Sequence, residues 1–375
     1  MTRASSPLPR GAVIGMVGGG QLGRMTSMAA ARLGYRTHIL SDNPDDPAMD
    51  VAWRHTRLSS AEDAAAIAAF AAAVDVITFE TENLPLPLLA LLEAQPHCRP
   101  SAAVVRLCGD RAEEKRFLQA IGVPTAPWAP VATAEEIEAF RRQAGGRAIV
   151  KTCRSGYDGK GQMRVADATA AARAAEALAG KALIAEAVLD FTCEVSVVLA
   201  RDVAGRIAAF DVTHNLHREG ILRESRVPAP IAPEVAARAL AAARRVAEGL
   251  DYVGIMALEM FVMPDGAVLA NEIAPRPHNS GHWTMDACAA SQFEQHVRAI
   301  CGLPLADPTR HADAVMENLI GPEGAARWEE LLAKPRCVPH WYGKAEARPG
   351  RKLGHATTLA PFGTGGHGPR GGSML

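Results

Sequence analysis

Short apolar runs separated by helical stretches pattern roughly the first 105 residues. Residues 11–17 read as a buried strand that passes through Gly18, Gly19, Gly20, Gln21, Leu22 and Gly23 into a helix predicted to begin near Arg24. Residues 37–40 and 75–80 are further strands, and the Ala-rich segment 61–73 is a helix between strands. Such alternation predicts a parallel, doubly wound sheet of the α/β class.

The pattern changes near residue 110. A helix over 111–121 stops at Gly122, Val123 and Pro124. Segments 148–151 and 161–165 are predicted strands flanking a glycine-rich loop, 182–186 and 193–200 are two more, and 233–250 is a helix. Segments 258–263 and 267–273 form a strand pair joined by Pro264, Asp265 and Gly266, a hairpin signal. These shifts divide the chain into 1–110, 111–305 and 306–375. From Gly363 the text is glycine-rich, cannot bury a core and is expected to be disordered and without chemistry.

The hairpin carries the chemistry. With Asp265 and Gly266 as a two-residue loop, Pro264 faces Ala267 and Glu259 faces Glu272, their Cβ atoms roughly 4.5–5.5 Å apart. Two carboxylates that close repel unless a cation lies between them. Oxygen ligands that leave room for phosphate oxygens are how Mg²⁺ is usually held. A bulge that turned one glutamate to solvent would undo the pairing. The hairpin runs on through Asn271, Arg276, His278, Asn279, Ser280 and His282, a segment dense in anion-binding groups.

Two glycine loops have flanking elements. Gly18-x-Gly20-x-x-Gly23 has the spacing and strand-to-helix setting of a dinucleotide fingerprint, but the same turn serves other phosphates or close packing of a helix on a sheet. The second joins Lys151, at a strand end, to Gly156, Tyr157, Asp158, Gly159, Lys160, Gly161 and Gln162. Its glycines let backbone N–H groups wrap a phosphate, and a lysine at the strand end neutralises charge. A mobile surface hairpin is the dull alternative. No Lys-Ser/Thr pair opens a helix, so the loop is not a Walker A motif.

Composition narrows the class. Forty basic against 41 acidic residues give a net charge of −1, which favours neither nucleic acid nor an anionic membrane. Seven scattered cysteines without metal-ligand spacing suit a reducing cytoplasm. No apolar run is long enough to span a bilayer. A soluble cytoplasmic enzyme is expected.

Taken together, the glycine-rich lid, Glu186, Glu194 and the Glu259/Glu272 hairpin resemble the ATP-grasp superfamily. The motifs at 18–25, 156–162, 213–217, 271–283 and 340–355 are similar, nearly letter for letter, to the 5-(carboxyamino)imidazole ribonucleotide synthases, ATP-dependent carboxylases of purine biosynthesis. This resemblance implies an ATP-grasp fold with an N-terminal pre-ATP-grasp domain and a small C-terminal β-rich domain, usually as a homodimer. It also implies that the first glycine loop lines a ribonucleotide site and holds no dinucleotide.

Roles follow from the resemblance. Arg106 and Lys151 would contact ATP phosphates under a lid of Gly156, Tyr157, Asp158, Gly159, Lys160, Gly161 and Gln162. Glu186, Ala187, Val188 and Leu189 would form the adenine hinge, with Glu194, His217 and Asn271 as further nucleotide contacts. Glu259 and Glu272 match Mg²⁺ ligands, and Arg276, His278 and Asn279 a bicarbonate pocket in which Arg276 makes a bidentate contact. Gln21, Leu22, Glu80, Tyr157, Asp158, Lys344 and Arg351 would hold 5-aminoimidazole ribonucleotide, with Asp158 or Glu80 accepting the amine proton. After His355 the chain departs from its relatives, which puts the support of Lys344 and Arg351 in doubt. Rival readings are a formate-using ATP-grasp ligase, an NAD-dependent oxidoreductase, and a nucleotide-binding regulatory protein.

Overall fold

A computed structural model describes residues 6–156 and 161–365. Four strands, β1 (Val13–Val17), β2 (Arg36–Ser41), β3 (Arg54–Arg57) and β4 (Val76–Phe79), form a parallel sheet in the order β3-β2-β1-β4. Helices α1 (Gln21–Arg32), α2 (Ala64–Ala72), α3 (Leu86–Glu93) and α4 (Ala102–Cys108) accompany it. The doubly wound expectation holds for these residues. Strand β3 escapes a hydrophobic reading because Arg54, His55, Thr56 and Arg57 occupy a sheet edge and pack little apolar surface.

Helix α1 starts at Gln21, earlier than near Arg24. The carboxylate of Glu80, just beyond β4, accepts hydrogen bonds from the backbone N–H groups of Gly20 (2.6 Å) and Gly23 (2.7 Å). A Cβ at Gly18 or Gly20 would collide with that side chain. The glycines therefore serve a close approach of protein to protein.

Helix α5 (Arg111–Ala120) leads to a four-stranded antiparallel sheet. Its strands are β5 (Trp128–Val131), β6 (Ala148–Thr152), β7 (Gln162–Val165) and β8 (Leu183–Ala187), in the order β5-β8-β6-β7. Helices α6 (Ala134–Gln143) and α7 (Ala168–Ala177) cover it, burying Ile137, Ala170, Ala171 and Ala174. The glycine loop between β6 and β7 is the lid of the sequence reading. Its Tyr157, Asp158, Gly159 and Lys160 lie outside the described residues.

A nine-stranded antiparallel sheet forms the largest layer. It contains β9 (Cys193–Arg201), β10 (Ile207–Ala209), β11 (Thr213–Arg218), β12 (Ile221–Val227), β13 (Gly254–Val262), β14 (Val268–Ala274), β15 (Ala312–Ile320), β16 (Cys337–Trp341) and β17 (Lys352–Pro361). The order is β14-β13-β9-β11-β12-β15-β17-β16, with β10 on β9. Helix α8 (Pro233–Gly249) packs Val235, Ala239, Ala243 and Val246 on one face, at the spacing a helical stripe requires. After the short α9 (Thr284–Ala287), α10 (Gln292–Ile300) joins this sheet to the parallel one. His296 reaches Thr78 Oγ1 (2.8 Å) and the backbone N–H of Ile255 (3.0 Å).

The stretch after His355 completes β17, which pairs with β15 from Lys352 to Pro361. Beyond it, the buried carboxylate of Asp313 accepts from the backbone N–H groups of Gly363 (3.2 Å) and Gly365 (2.7 Å). Disorder was expected from Gly363, yet its first three residues are tied to β15. The tail beyond Gly365 lies outside the described residues.

Candidate active site

The three sheets meet at a cleft of about 830 Å³. It is lined by the N-terminus of α1 (Gln21, Leu22), the segment after β4 (Glu80, Glu82), Arg111 of α5, Lys151 of β6, Glu194 of β9, His217 of β11 and the β13–β14 hairpin. Gly156 and Gln162, at the two ends of the lid, also reach it.

Glu259 and Glu272 do face each other, though not by the expected route. The hydrogen bonds Gly266 N–H to Met263 O and Met263 N–H to Ala267 O close a three-residue loop of Pro264, Asp265 and Gly266, with Gly266 at φ +79°. This is the three-residue loop with a left-handed glycine, a common alternative to the two-residue turn. Near the turn Met260 faces Ala270 and Phe261 faces Leu269, one residue out of the expected register. A bulge between Glu259 and Met260 then leaves Asn271 as an extra residue and restores Glu259 opposite Glu272. Because a bulge breaks strict alternation, Asn271 and Glu272 both line the cleft.

The two carboxyls differ. Burial alone would raise that of Glu259, but His278 at 2.8 Å, with His217 and Arg276 behind it, holds it down to about 2. The Glu272 carboxyl, set deep among the cleft walls, is raised by loss of water and by the Glu259 charge. With Asn271 they present hard oxygen donors at an open cleft, the donor set that suits Mg²⁺ shared with phosphate.

Cations gather at the other wall. Lys151 Nζ lies 2.7 Å from Glu186, whose other oxygen is 3.5 Å from the buried Lys115. Burial opposes ionisation of Glu186, yet these two lysines bring its carboxyl down to about 2. Arg111 donates to Thr152 O (3.0 Å) and Gly156 O (2.8 Å), anchoring the lid's first arm. Arg106 is not part of this wall. Its guanidinium pairs with Glu93 (2.9 Å) and Glu113 (3.2 Å) because α4 points it along the surface. His217 contacts Glu194 at 2.6 Å. Burial would lower its pKa, but Glu194 and Glu259 raise it. Ile149 and the stacked pair Phe191–Phe261, 4.7 Å apart, supply an apolar flank suited to a base. The side chains of Glu186, Ala187, Val188 and Leu189 are not among the lining residues.

Arg276 is already gripped. Its Nε and Nη2 donate to the two oxygens of Glu82 at 2.5 and 2.8 Å, so the fork expected to clasp bicarbonate is occupied. The physical cause is partial desolvation: a half-buried guanidinium beside the cleft draws a local anion. Burial would raise the Glu82 carboxyl, but Arg276 brings it below its ordinary value. Asn279 lines the cleft, and among the described residues its buried Oδ1 has no hydrogen-bond partner. Gln21, Leu22 and Glu80 reach the far end, where Glu80 is held by the glycine-loop amides. Burial raises its carboxyl despite those amides. Lys344 lies over the Tyr342 ring and Arg351 donates to Glu346 O (3.3 Å). Neither lines the cleft, whereas Lys352 does.

Sequence reasoning passed over Glu82, Arg111, Glu114, Lys115 and Lys352, whereas His282, in the run singled out after the hairpin, does line the cleft. Glu82 had a signal, since it lies two residues past Glu80 beyond the carboxyl end of a parallel strand, where ligands collect. Lys352 neighbours Arg351 at the start of β17, where successive side chains alternate faces. Lys115 and Glu114 lie on a helix of ordinary charged composition and carried no such mark.

Three family models match the chain: a ribonucleotide synthetase preATP-grasp domain over residues 12–108, an ATP-grasp domain over 116–293 and a phosphoribosylaminoimidazole carboxylase C-terminal domain over 314–362. The N5-carboxyaminoimidazole ribonucleotide synthase of Brucella melitensis biotype 1 is 48% identical over 356 residues, covering 94% of this chain and 98% of that protein. The crystal structure of an N5-carboxyaminoimidazole ribonucleotide synthetase in complex with ADP superposes with a TM-score of 0.90 at 37% identity, covering 96% of this chain and 94% of that one. The Aspergillus clavatus N5-carboxyaminoimidazole synthase, solved with ADP and 5-aminoimidazole ribonucleotide, gives 0.87 at 29% identity and covers 94% of each chain.

Proposed function

The chain belongs to the N5-carboxyaminoimidazole ribonucleotide synthase family of ATP-grasp enzymes, and from that membership we propose how its own residues carry out the reaction. It is a ligase that carboxylates 5-aminoimidazole ribonucleotide at the expense of ATP, giving N5-carboxyaminoimidazole ribonucleotide in purine biosynthesis. Bicarbonate is the carbon donor in this reading. Its oxygen attacks the γ-phosphorus of ATP, releasing ADP and forming carboxyphosphate. The exocyclic amine of the ribonucleotide then takes up the carboxyl group and phosphate leaves.

Phosphoryl transfer of this kind needs positioning and charge neutralisation more than covalent help. Lys151 and Arg111 offset phosphate charge from one wall, and the lid excludes water from a labile intermediate. Glu259 and Glu272, with Asn271, would hold Mg²⁺, which when bound screens the phosphate oxygens against the attacking anion. Arg276 offers bicarbonate the edge that Glu82 does not take, where Nη1 makes only a long bond to Pro277 O (3.3 Å), and His278 and Asn279 stand beside it. Gln21, Leu22 and Glu80 bound the ribonucleotide end, and Lys352 supplies a cation near it. A homodimer in the cytoplasm is part of the same reading, supported by the family resemblance and by seven unpaired cysteines.

The observation that carries the site assignment is the facing pair Glu259–Glu272 beside Arg276, His278 and Asn279 on one cleft floor. An ADP-release assay with ATP, Mg²⁺, bicarbonate and 5-aminoimidazole ribonucleotide, each omitted in turn, tests it. Full turnover requires all four. ADP formation that ignores bicarbonate, or that accepts formate in its place, would overturn the assignment of the carbon donor.

A further inference from the structure

We propose that Glu114 and Lys115, neighbours on α5, are positioning residues that set the divalent-cation site by holding the bulged edge strand in place. The proposal rests on the reading of Glu259 and Glu272 as cation ligands. Strand β14 is the outermost strand of its sheet, so one side of its backbone has no ladder partner. Unpaired backbone groups must find other partners when buried. Here α5 and the turn after it supply them. Pro124 O accepts the N–H of Ala270 (2.7 Å), Lys115 Nζ donates to Asn271 O (2.8 Å), and Glu114 Oε2 accepts the N–H of Ile273 (2.9 Å). The last two bonds bracket Glu272.

That placement matters because of the bulge. A bulged edge strand can shift its extra residue along the chain, and a slip by one residue sends a side chain to the opposite face. If the bulge moved from Asn271, Glu272 would leave the cleft and Glu259 would lose its partner. Glu114 and Lys115 pin the carbonyl before Glu272 and the amide after it. Both are almost wholly buried, at 2% and 1% exposure, a costly setting for ionisable groups whose only task was to cover an edge. Lys115 does more, since it also lies 3.5 Å from Glu186, which holds Lys151. One ammonium therefore ties the strand of the cation ligands to the lysine of the phosphate wall.

The test is Mn²⁺ binding to the full chain with ADP, followed by electron paramagnetic resonance, which reads the metal site without turnover. Glu114→Leu and Lys115→Met should weaken Mn²⁺ affinity by about 10-fold or more, as loss of groups supporting metal ligands does. Glu114→Gln should bind close to wild type, because its amide oxygen can accept the same N–H. Glu272→Gln is the reference and should lose Mn²⁺ outright. Loss in Glu272→Gln with unchanged binding in both Lys115→Met and Glu114→Leu would overturn the clamp and leave the cation reading standing. Normal binding in Glu272→Gln would remove the cation reading and the clamp with it. Should the apolar variants fail to fold, hydrogen exchange in the wild-type chain decides: the Ile273 amide should be protected like the sheet core, and exchange at the rate of an open edge would overturn the proposal.

Discussion

Glu82 holds Arg276 by both carboxylate oxygens, at 2.5 and 2.8 Å, across 194 residues of sequence. The contact joins the parallel-sheet unit to the floor beneath the carboxylate pair, and on the other edge of the guanidinium Nη1 makes only a long bond to Pro277 O (3.3 Å). Glu82→Gln leaves a half-buried cation that still feels the charges of Glu272 and Glu259. We expect a stability loss of about 1.5–3 kcal/mol, the range for hydrogen bonds to a charged group. The KM for bicarbonate should rise more than that for ATP, as Arg276 turns toward the hairpin. Chemical denaturation and initial rates at varied bicarbonate measure both, and an unchanged bicarbonate KM would detach Arg276 from that substrate.

The facing glutamates set function against stability. Like charges opposed on a sheet are destabilising, so Glu272→Gln should raise the stability of the ligand-free protein by up to about 1 kcal/mol. The same change should cut ADP release by at least about 100-fold, the scale for losing a group that stabilises transition-state charge. Thermal melts beside the turnover assay check the pair of effects. A variant that is both less stable and active would contradict the arrangement.

Glu186 predicts an acid limb in the stability profile. Its carboxyl falls from an ordinary 4.5 to about 2 because Lys151 and Lys115 outweigh its burial. A carboxyl lowered on folding stabilises the native state fully above 4.5, and that contribution is lost as the pH falls toward 2. The drop corresponds to on the order of 3 kcal/mol. Melting temperatures from pH 6 to pH 3 should therefore decline less steeply in Glu186→Gln, which starts lower, than in the wild type. Parallel curves would mean the lysines do not hold this group.

The glycine loop at the head of α1 is filled from within. Since Glu80 occupies the Gly20 and Gly23 amides, neither NAD nor NADH should bind, and equilibrium dialysis should show no uptake. Gly20→Ala drives a Cβ into Glu80 and should cost about 1–3 kcal/mol, as overpacking does. It should also raise the KM for 5-aminoimidazole ribonucleotide, because Glu80 and Gln21 must move together. Tight dinucleotide binding by the wild type would reverse this reading of the loop.

Local order was legible because hydrophobic period and turn residues report it directly. The run ending at Val17, the Ala-rich helix and the helix over 233–250 each followed from the local pattern alone. So did the neighbourhood of Glu259 and Glu272, since a short hairpin leaves few registers open. The register itself was reached through two departures that compensate: a three-residue loop shifts the pairing by one, and the bulge at Asn271 shifts it back. Turn type and bulge position depend on backbone hydrogen bonds, which residue letters report only loosely.

From its letters the chain determined its family, the elements that carry the glycine loops and the hairpin, and the kinds of group at the cleft, because propensity, periodicity and motif spacing are local and short-range. Long-range packing decided which charges meet. It drew Glu82 to Arg276, Glu80 onto the amides of its own glycine loop, Arg106 away to Glu93, and Lys115 onto the carbonyl beside Glu272. All but the surface pair Arg106–Glu93 join groups far apart along the chain, where partial or full burial makes an unpartnered charge costly to leave. Which partner satisfies it depends on how the sheets stack, a property no single segment contains.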